Sequence, residues 1–451
     1  MTGTVLKLEE FRKALWDGTS NIQQTVVIGG ESSKHKYLEL RPFMDCLCQI
    51  WPPIAEVPAL LIRQEYIESY NALVKDASDP SAIGTVVTGQ SGIGKTLFLF
   101  YVLVMRLQAR QPVAIETDQS EYFVFTEAGV SIEPKGNSLV DILRRWTSST
   151  QVWALSNSSI DLDQPSSGFR RARSLGAYLI QATSPCVHRW KQWLKEYGAR
   201  MFVMDLWPED ELFALGSLIG VEDPHTLVAA ARKWGPSPRK LISLHQGRLS
   251  SQNLDSILNA KARKIANDPI GMLIKVEDAS LESDVVFVRP SSNKRHSFAA
   301  WIPSEYICLI IASALRGVAA ANQAAFFQYM DSSAYSCATK WLFEGWVHTR
   351  FLQIDHISCH WQQSPALHGP LPTLGRNDII VGQPCVLRDC SLSKPFYWQP
   401  STSDIEGTDS VLYDTEGIYV IQSTISWTSR SVETGLDEIK ANLPPAFNTV
   451  P

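Results

Sequence analysis

The octapeptide Gly89-Gln90-Ser91-Gly92-Ile93-Gly94-Lys95-Thr96 satisfies G-x-x-x-x-G-K-[ST] at every fixed position. β-Branched residues precede it (Thr85, Val86, Val87) and an apolar run at helical spacing follows it (Leu97, Phe98, Leu99). Glycines let successive backbone N–H groups turn toward one point without a Cβ in the way. A helix that starts there adds the positive end of its dipole. Lys95 is then placed to reach the β- and γ-phosphates of a nucleoside triphosphate, ATP or GTP, and the Thr96 hydroxyl to ligate Mg²⁺. Such a loop requires a strand before it and a helix after it, which places the chain among α/β folds.

The flanking pattern agrees. Apolar spacing predicts a helix over 60–76, a strand over 83–88, the loop, and a helix over about 95–109. A strand at 112–116 and a hairpin at 121–132 follow, then short apolar strands at 152–155, 177–182 and 201–204. Strands separated by polar or helical stretches predict a parallel sheet with helices on both faces. Residues 209–268 read as a helical lid, and the basic stretch 289–297 (RPSSNKRHS) as a loop at a domain boundary. The expected organisation is a leader at 1–60, a phosphate-loop domain at 61–285 and a C-terminal mixed α/β domain at 300–445, with a final helix near 432–442.

Composition narrows the functional classes. The chain has 451 residues, is 45% hydrophobic and 19% charged, and so has enough apolar material for a sizeable core. Its eight Cys are too dilute for a disulfide scaffold. A net charge of −5 gives no overall basic surface for nucleic acid, so such a contact needs a local site or a metal. The N-terminal segment has no signal-peptide apolar core, and no apolar stretch approaches the roughly 20 residues that span a bilayer. An intracellular protein, cytoplasmic or nuclear, with no membrane partner is expected; its oligomeric state is left open.

A Mg²⁺-side residue is expected at the end of a neighbouring strand. Two positions compete: Ser156-Asn157 after the 152–155 strand, and Asp205 after Met201-Phe-Val-Met204, which also reads as a helix N-cap. Gln181, Thr183 and Ser184 end a strand that would lie between nucleotide and catalytic base, where a polar residue senses the γ-phosphate. Arg239, after Trp234-Gly-Pro-Ser-Pro, is held where a lid would present it to a γ-phosphate.

The ordered set Leu61-Ile-Arg-Gln-Glu-Tyr66, the loop, Trp153-Ala-Leu-Ser156, Ala182-Thr-Ser-Pro185, Met204-Asp-Leu-Trp207 with Glu211-Leu212, and Gly235-Pro-Ser-Pro-Arg239 resembles the P-loop NTPase module of the Crinkler and retrotransposon-hot-spot-like proteins over about residues 60–250. That resemblance implies a following nuclease-like domain of the restriction-endonuclease fold, covering roughly 330–443. It implies Glu344 on a helix, Asp409 on a strand, and Gln422 and Thr424 on the next strand as the catalytic set. Gln422 and Thr424 stand where that fold usually carries an acid and a Lys, and a Gln oxygen holds Mg²⁺ weakly while Thr brings no positive charge. Two functions follow. In the first, the nucleotide module hydrolyses slowly and regulates a nuclease acting on nucleic acid. In the second, a nucleotide-gated module binds a protein or nucleic-acid partner through a catalytically dead C-terminal domain. His356, Cys359, His360, Cys385 and Cys390 fit no standard zinc spacing.

Overall fold

The computed structural model describes residues 3–19, 22–28, 33–52, 57–79, 81–116, 121–134, 151–158, 164–172, 176–186, 189–267, 284–291, 294–315, 357–358, 370–371, 379–391, 393–400, 409–413, 417–422 and 433–444. The chain divides into two compact units, Met1–Lys261 with Gly271–Ile307, and Ala262–Ile270 with Cys308–Pro451.

The first unit opens with helix α1 (Gly3–Trp16), strands β1 (Gln23–Ile28) and β2 (Ser33–Glu39), helix α2 (Met44–Ile50) and strand β3 (Ala59–Leu61). These three strands form an antiparallel sheet. The expectation of a leader at 1–60 is therefore corrected. Leu8, Phe11 and Leu15 share one helical face, and they are buried in the same apolar cluster as Leu38, Leu47 and Leu60. Phe11 meets Phe100 of the helix that follows the phosphate loop, ring centroids 6.0 Å apart.

Next come α3 (Gln64–Ala77), β4 (Gly84–Gly89), α4 (Lys95–Gln108), β5 (Val113–Glu116), and the hairpin β6 (Glu121–Thr126) with β7 (Gly129–Pro134). Then follow β8 (Trp153–Asn157), α5 (Ser167–Ala172), β9 (Tyr178–Ala182), α6 (Lys191–Tyr197) and β10 (Arg200–Met204). They build a seven-stranded sheet in the order β10-β4-β9-β8-β5-β6-β7. The first five strands run parallel, and the β6–β7 hairpin extends the sheet antiparallel. Alternate side chains sort to two faces. Val87, Ile115, Leu155 and Ile180 join the cluster around α4. Val86, Ala114, Ala154 and Leu179 join a second cluster with Phe169 of α5 and Trp193 of α6. Helices thus cover both faces, as the alternation predicts.

β4 lies between β9 and β10, the last two strands of the sheet to be laid down, so the chain crosses past β4 between them. In open α/β sheets, ligands take the crevice at the carboxyl ends of strands around such a point. Four helices follow, α7 (Glu209–Leu218), α8 (His225–Trp234), α9 (Pro238–His245) and α10 (Ser251–Asn267), matching the expected helical segment. The stretch read as a loop at 289–297 is instead a hairpin of β11 (Phe287–Ser291) and β12 (Lys294–Trp301). Its two arginines are ion-paired back onto the unit: Arg295 with Glu65 at 2.9 Å and Glu68 at 3.1 Å, Arg289 with Asp205 at 3.6 Å. Helix α11 (Glu305–Leu315) carries the chain out of the first unit.

In the second unit the described strands are the pair β13 (Ile357–Ser358) and β14 (Pro370–Leu371), and a sheet of β15 (Ile379–Gly382), β16 (Phe396–Pro400), β17 (Ser410–Tyr413) and β18 (Ile418–Ile421). β15 runs parallel to β16, and β16–β17–β18 form an antiparallel meander. Helix α12 (Glu433–Asn442) buries Ile439 against Trp398, Val411 and Phe396 on one face of that sheet. The second unit is mixed α/β in its described part. No described helix in either unit is long and apolar enough to cross a membrane.

Candidate functional site

The loop between β4 and α4 has the conformation its glycines permit. Gly89, Gly92 and Gly94 have φ of 142°, 80° and 99°. A Cβ at Gly89 would lie 2.7 Å from the Met204 carbonyl oxygen, and one at Gly94 would lie 2.4 Å from the Tyr66 hydroxyl. Both positions are closed to any side chain by backbone conformation and by space.

Every carbonyl of the loop has a donor. Lys95 Nζ donates to Gly89 O at 2.8 Å and to Gln90 O at 2.7 Å. Ser237 Oγ donates to Ser91 O and Arg239 N to Gly92 O, both at 3.4 Å. Trp207 Nε1 donates to Ile93 O, and the Tyr66 hydroxyl to Gly94 O, each at 2.8 Å. With its carbonyls held in this way, the loop is a preformed cradle of the kind whose N–H groups receive phosphate oxygens. Gln90 and Ile93 are buried, while Ser91, Gly92, Gly94, Lys95 and Thr96 are half-buried.

The donors to Ile93 and Gly94 belong to a clamp that joins distant segments. Arg63, fully buried at the start of α3, donates through Nε to Glu211 Oε2 at 2.7 Å. It donates through Nη2 to Leu206 O at 2.9 Å, and its guanidinium lies 4.3 Å from the Trp207 ring. Gln64 N donates to the other Glu211 oxygen at 2.8 Å. The strings around 61–66, 204–207 and 211–212 therefore meet behind the loop and fix its carbonyls.

Two cations converge on the cradle. Burial pushes the Lys95 amine down to about 7, and the positive charge of Arg239 adds to that shift. Arg239 is exposed, and its Cβ would be 3.2 Å from a Cβ at Gly92, so the turn that carries it lies directly over the loop. Two like charges held together in this way favour an anion between them.

At the other end of the loop, Thr96 Oγ1 donates to Asn157 Oδ1 at 3.0 Å. The end of β8 thus faces the threonine, and Asp205 does not. Asp205 follows β10, on the opposite side of β4 from β8. Its carboxylate accepts from Leu206 N at 2.8 Å and faces Arg289, as a turn-capping group does. Of the two positions expected on the metal side, the structure brings Asn157 to Thr96 and gives Asp205 these capping contacts. Ser156 Oγ and Thr183 Oγ1 are buried at the carboxyl ends of β8 and β9 with no hydrogen-bond partner among the described residues. Gln181 is in register with Val86 and Ser156, on the face opposite α4, where it donates to Ser158 Oγ at 2.6 Å and accepts from Trp193 Nε1. It therefore packs under α6, and Thr183 is the polar group left beside the loop strand. A neighbouring buried acid, Glu116 at the end of β5, accepts from Ser166 N with both oxygens at 3.2 Å.

In the second unit Asp409 N donates to Ile421 O at 2.9 Å, one step beyond the Ser410–Ile421 pair. Asp409 and Gln422 therefore sit at the same end of adjacent strands, both half-buried. Glu344 and Thr424 lie outside the described residues, as do His356, Cys359 and His360. Among the described residues no group of three or more His, Cys, Asp or Glu is placed to hold a metal ion.

No family model and no curated protein matches the chain. Solved structures similar to it include the following two. The closed state of Hsp104 with ATPγS and FITC casein is 13% identical, covers 48% of this chain and 48% of its own, with a TM-score of 0.27. AMPPCP-bound DnaA from Aquifex aeolicus is 10% identical, covers 64% of this chain and 89% of its own, with a TM-score of 0.29. The chain thus spans about half the length of the Hsp104 chain it matches. At these scores neither likeness bears on function.

Proposed function

We propose that the first unit binds a nucleoside triphosphate, ATP or GTP, as its Mg²⁺ complex at residues 89–96 and hydrolyses it slowly. The observation that carries this reading is the loop whose six carbonyls from Gly89 to Gly94 are all satisfied, two by its own Lys95 and four by residues outside it, with Lys95 and Arg239 at its mouth. Lys95 would exchange its two carbonyl acceptors for β- and γ-phosphate oxygens, and Arg239 would meet the γ-phosphate from the lid. Mg²⁺ would neutralise charge across those oxygens. Among the described residues, those facing it on the protein side would be the Thr96 hydroxyl and the Asn157 amide oxygen, both neutral. These donors fit an ion that arrives with the phosphates, whose charge it needs. Slow turnover follows from the same feature: β8 ends in Ser156-Asn157 with no carboxylate to orient water, and Glu116 is engaged by Ser166 N.

Thermal unfolding of the full chain tests this reading. Mg²⁺ with ATP or GTP is expected to raise the midpoint for wild type, as a ligand that binds only the folded state must. Lys95→Ala should abolish the rise. An equal rise in Lys95→Ala would place the nucleotide elsewhere.

The resemblance to the Crinkler family supports a second, dependent reading, a nuclease-like second unit regulated by the first. Its support in the fold is the juxtaposition of Asp409 and Gln422. Plasmid cleavage with Mg²⁺ or Mn²⁺, with and without ATP, should then be seen for wild type and lost in Asp409→Ala. No cleavage by folded, nucleotide-binding protein would favour the alternative, a nucleotide-gated interaction module.

A further inference from the structure

The phosphate loop is tied to a segment far along the chain. Gln90 Oε1 accepts from Val288 N at 2.8 Å across 198 residues, and both residues are buried. Among the described residues the β11 strand that contains Val288 has β12 as its one sheet neighbour, and the Val288 N–H takes a side chain of the loop as its acceptor. The segment around it is anchored to the lid as well. Asp284 pairs with Lys240 of α9 at 2.8 Å and with Lys261 of α10. A Cβ at Gly235 would come within 2.5 Å of the Phe287 ring, so the turn before Arg239 rests on Phe287. That turn in turn donates to Ser91 O and Gly92 O. Loop, lid turn and exit segment form a closed ring of contacts, and the chain continues from this hairpin through α11 toward the second unit.

Gln90 is engaged at both its peptide carbonyl and its side chain. Its carbonyl is held by Lys95, and its side chain holds Val288. A triphosphate that draws Lys95 onto its own oxygens frees the Gln90 peptide, and the side chain that depends on that peptide loses its fixed position. We propose that Gln90 couples phosphate occupancy of the loop to the docking of Asp284–Ser291, so that bound triphosphate loosens this segment. The proposal rests on the reading that a triphosphate binds at 89–96. Coupling is reciprocal, so removing the latch must tighten nucleotide binding by the factor through which nucleotide loosens the segment.

The test is hydrogen exchange over 284–291 in the full-length protein, with Mg·ATPγS as the probe, after a titration has established its affinity. Wild type should exchange about fivefold or more faster with the nucleotide bound, the lower end of usual inter-site coupling. Gln90→Met keeps the side-chain length without the acceptor. Val288→Pro removes the donor at a sheet edge, where proline is tolerated. Both should exchange fast with or without nucleotide, and both should bind it more tightly by a similar factor. Unchanged or slower exchange in nucleotide-bound wild type would overturn the proposal, as would unchanged or weaker binding in both variants. A wild type that binds no nucleotide in the initial titration would instead overturn the parent reading, and this coupling with it.

Discussion

The Lys95 amine rests on the Gly89 and Gln90 carbonyl oxygens, and its pKa, near 10.5 in an unfolded chain, is pushed down to about 7 by burial and by Arg239. The sign of the consequence is fixed. The folded state disfavours the charged amine, so this group's contribution to stability is full above pH 10.5, falls as pH drops from there toward about 7, and is constant below that. Phosphate oxygens restore the charge. Nucleotide binding at pH 8–9 is therefore expected to take up close to one proton, measured by titration calorimetry in two buffers of different ionisation enthalpy. Binding with no proton uptake at that pH would mean that Lys95 is already charged. Asn157 carries a second prediction at this scale. Asn157→Asp would turn a neutral acceptor of the Thr96 hydroxyl into a charged one, worth about 1 kcal/mol more, so half-maximal Mg²⁺ for nucleotide binding should fall about fivefold. The loop and Arg239 were legible in the sequence because their chemistry is written in adjacent residues. Asn157 and Asp205 stayed as alternatives, because only strand order shows which of them faces Thr96. Which of Gln181 and Thr183 lies beside the loop is not legible in the sequence, because a strand's two faces cannot be told apart without the neighbours that cover them.

At the scale of elements, the clamp of α3, the β10–α7 connection and the loop is the feature most open to test. Arg63 and Glu211 are buried, with side-chain exposures of 0% and 5%. Removing one partner of such a pair leaves an uncompensated charge and costs about 3–5 kcal/mol, whereas replacing both with apolar groups costs far less. Glu211→Ala should therefore destabilise strongly in urea unfolding, and Arg63→Met with Glu211→Leu should be more stable than Glu211→Ala alone. A double variant worse than the single would show that Arg63's contacts to Leu206 O and Trp207 outweigh the charge. Parallel strands and the helix after the loop were legible because apolar periodicity marks them. The clamp was not, because its partners are 148 residues apart. The β1–β2–β3 sheet and the β11–β12 hairpin are not legible as strands in the local pattern because polar runs open β1, β2 and β12. Lys34, His35 and Lys36 interrupt β2, and Lys294, Arg295 and His296 open β12. Their pairing depends on partners such as Glu65 that local pattern does not show.

For the whole molecule, the sheet order places the loop where β9 and β10 flank β4, the described lid places Arg239 above it, and the second unit sets Asp409 beside Gln422. The separate units follow from one chain that carries two cores, one around α4 and one around Trp398 and Ile439. The measurement that tests triphosphate binding most directly is calorimetric titration of the full-length chain with ATP and with GTP, with and without Mg²⁺. One nucleotide per chain is expected, bound much more weakly without Mg²⁺. Lys95→Ala should weaken it by about 2–3 kcal/mol, roughly thirty- to 160-fold, the worth of a hydrogen bond to a charged group. No binding of either nucleotide by folded wild type, or binding of equal strength in Lys95→Ala, would contradict the assignment of residues 89–96 as the phosphate site.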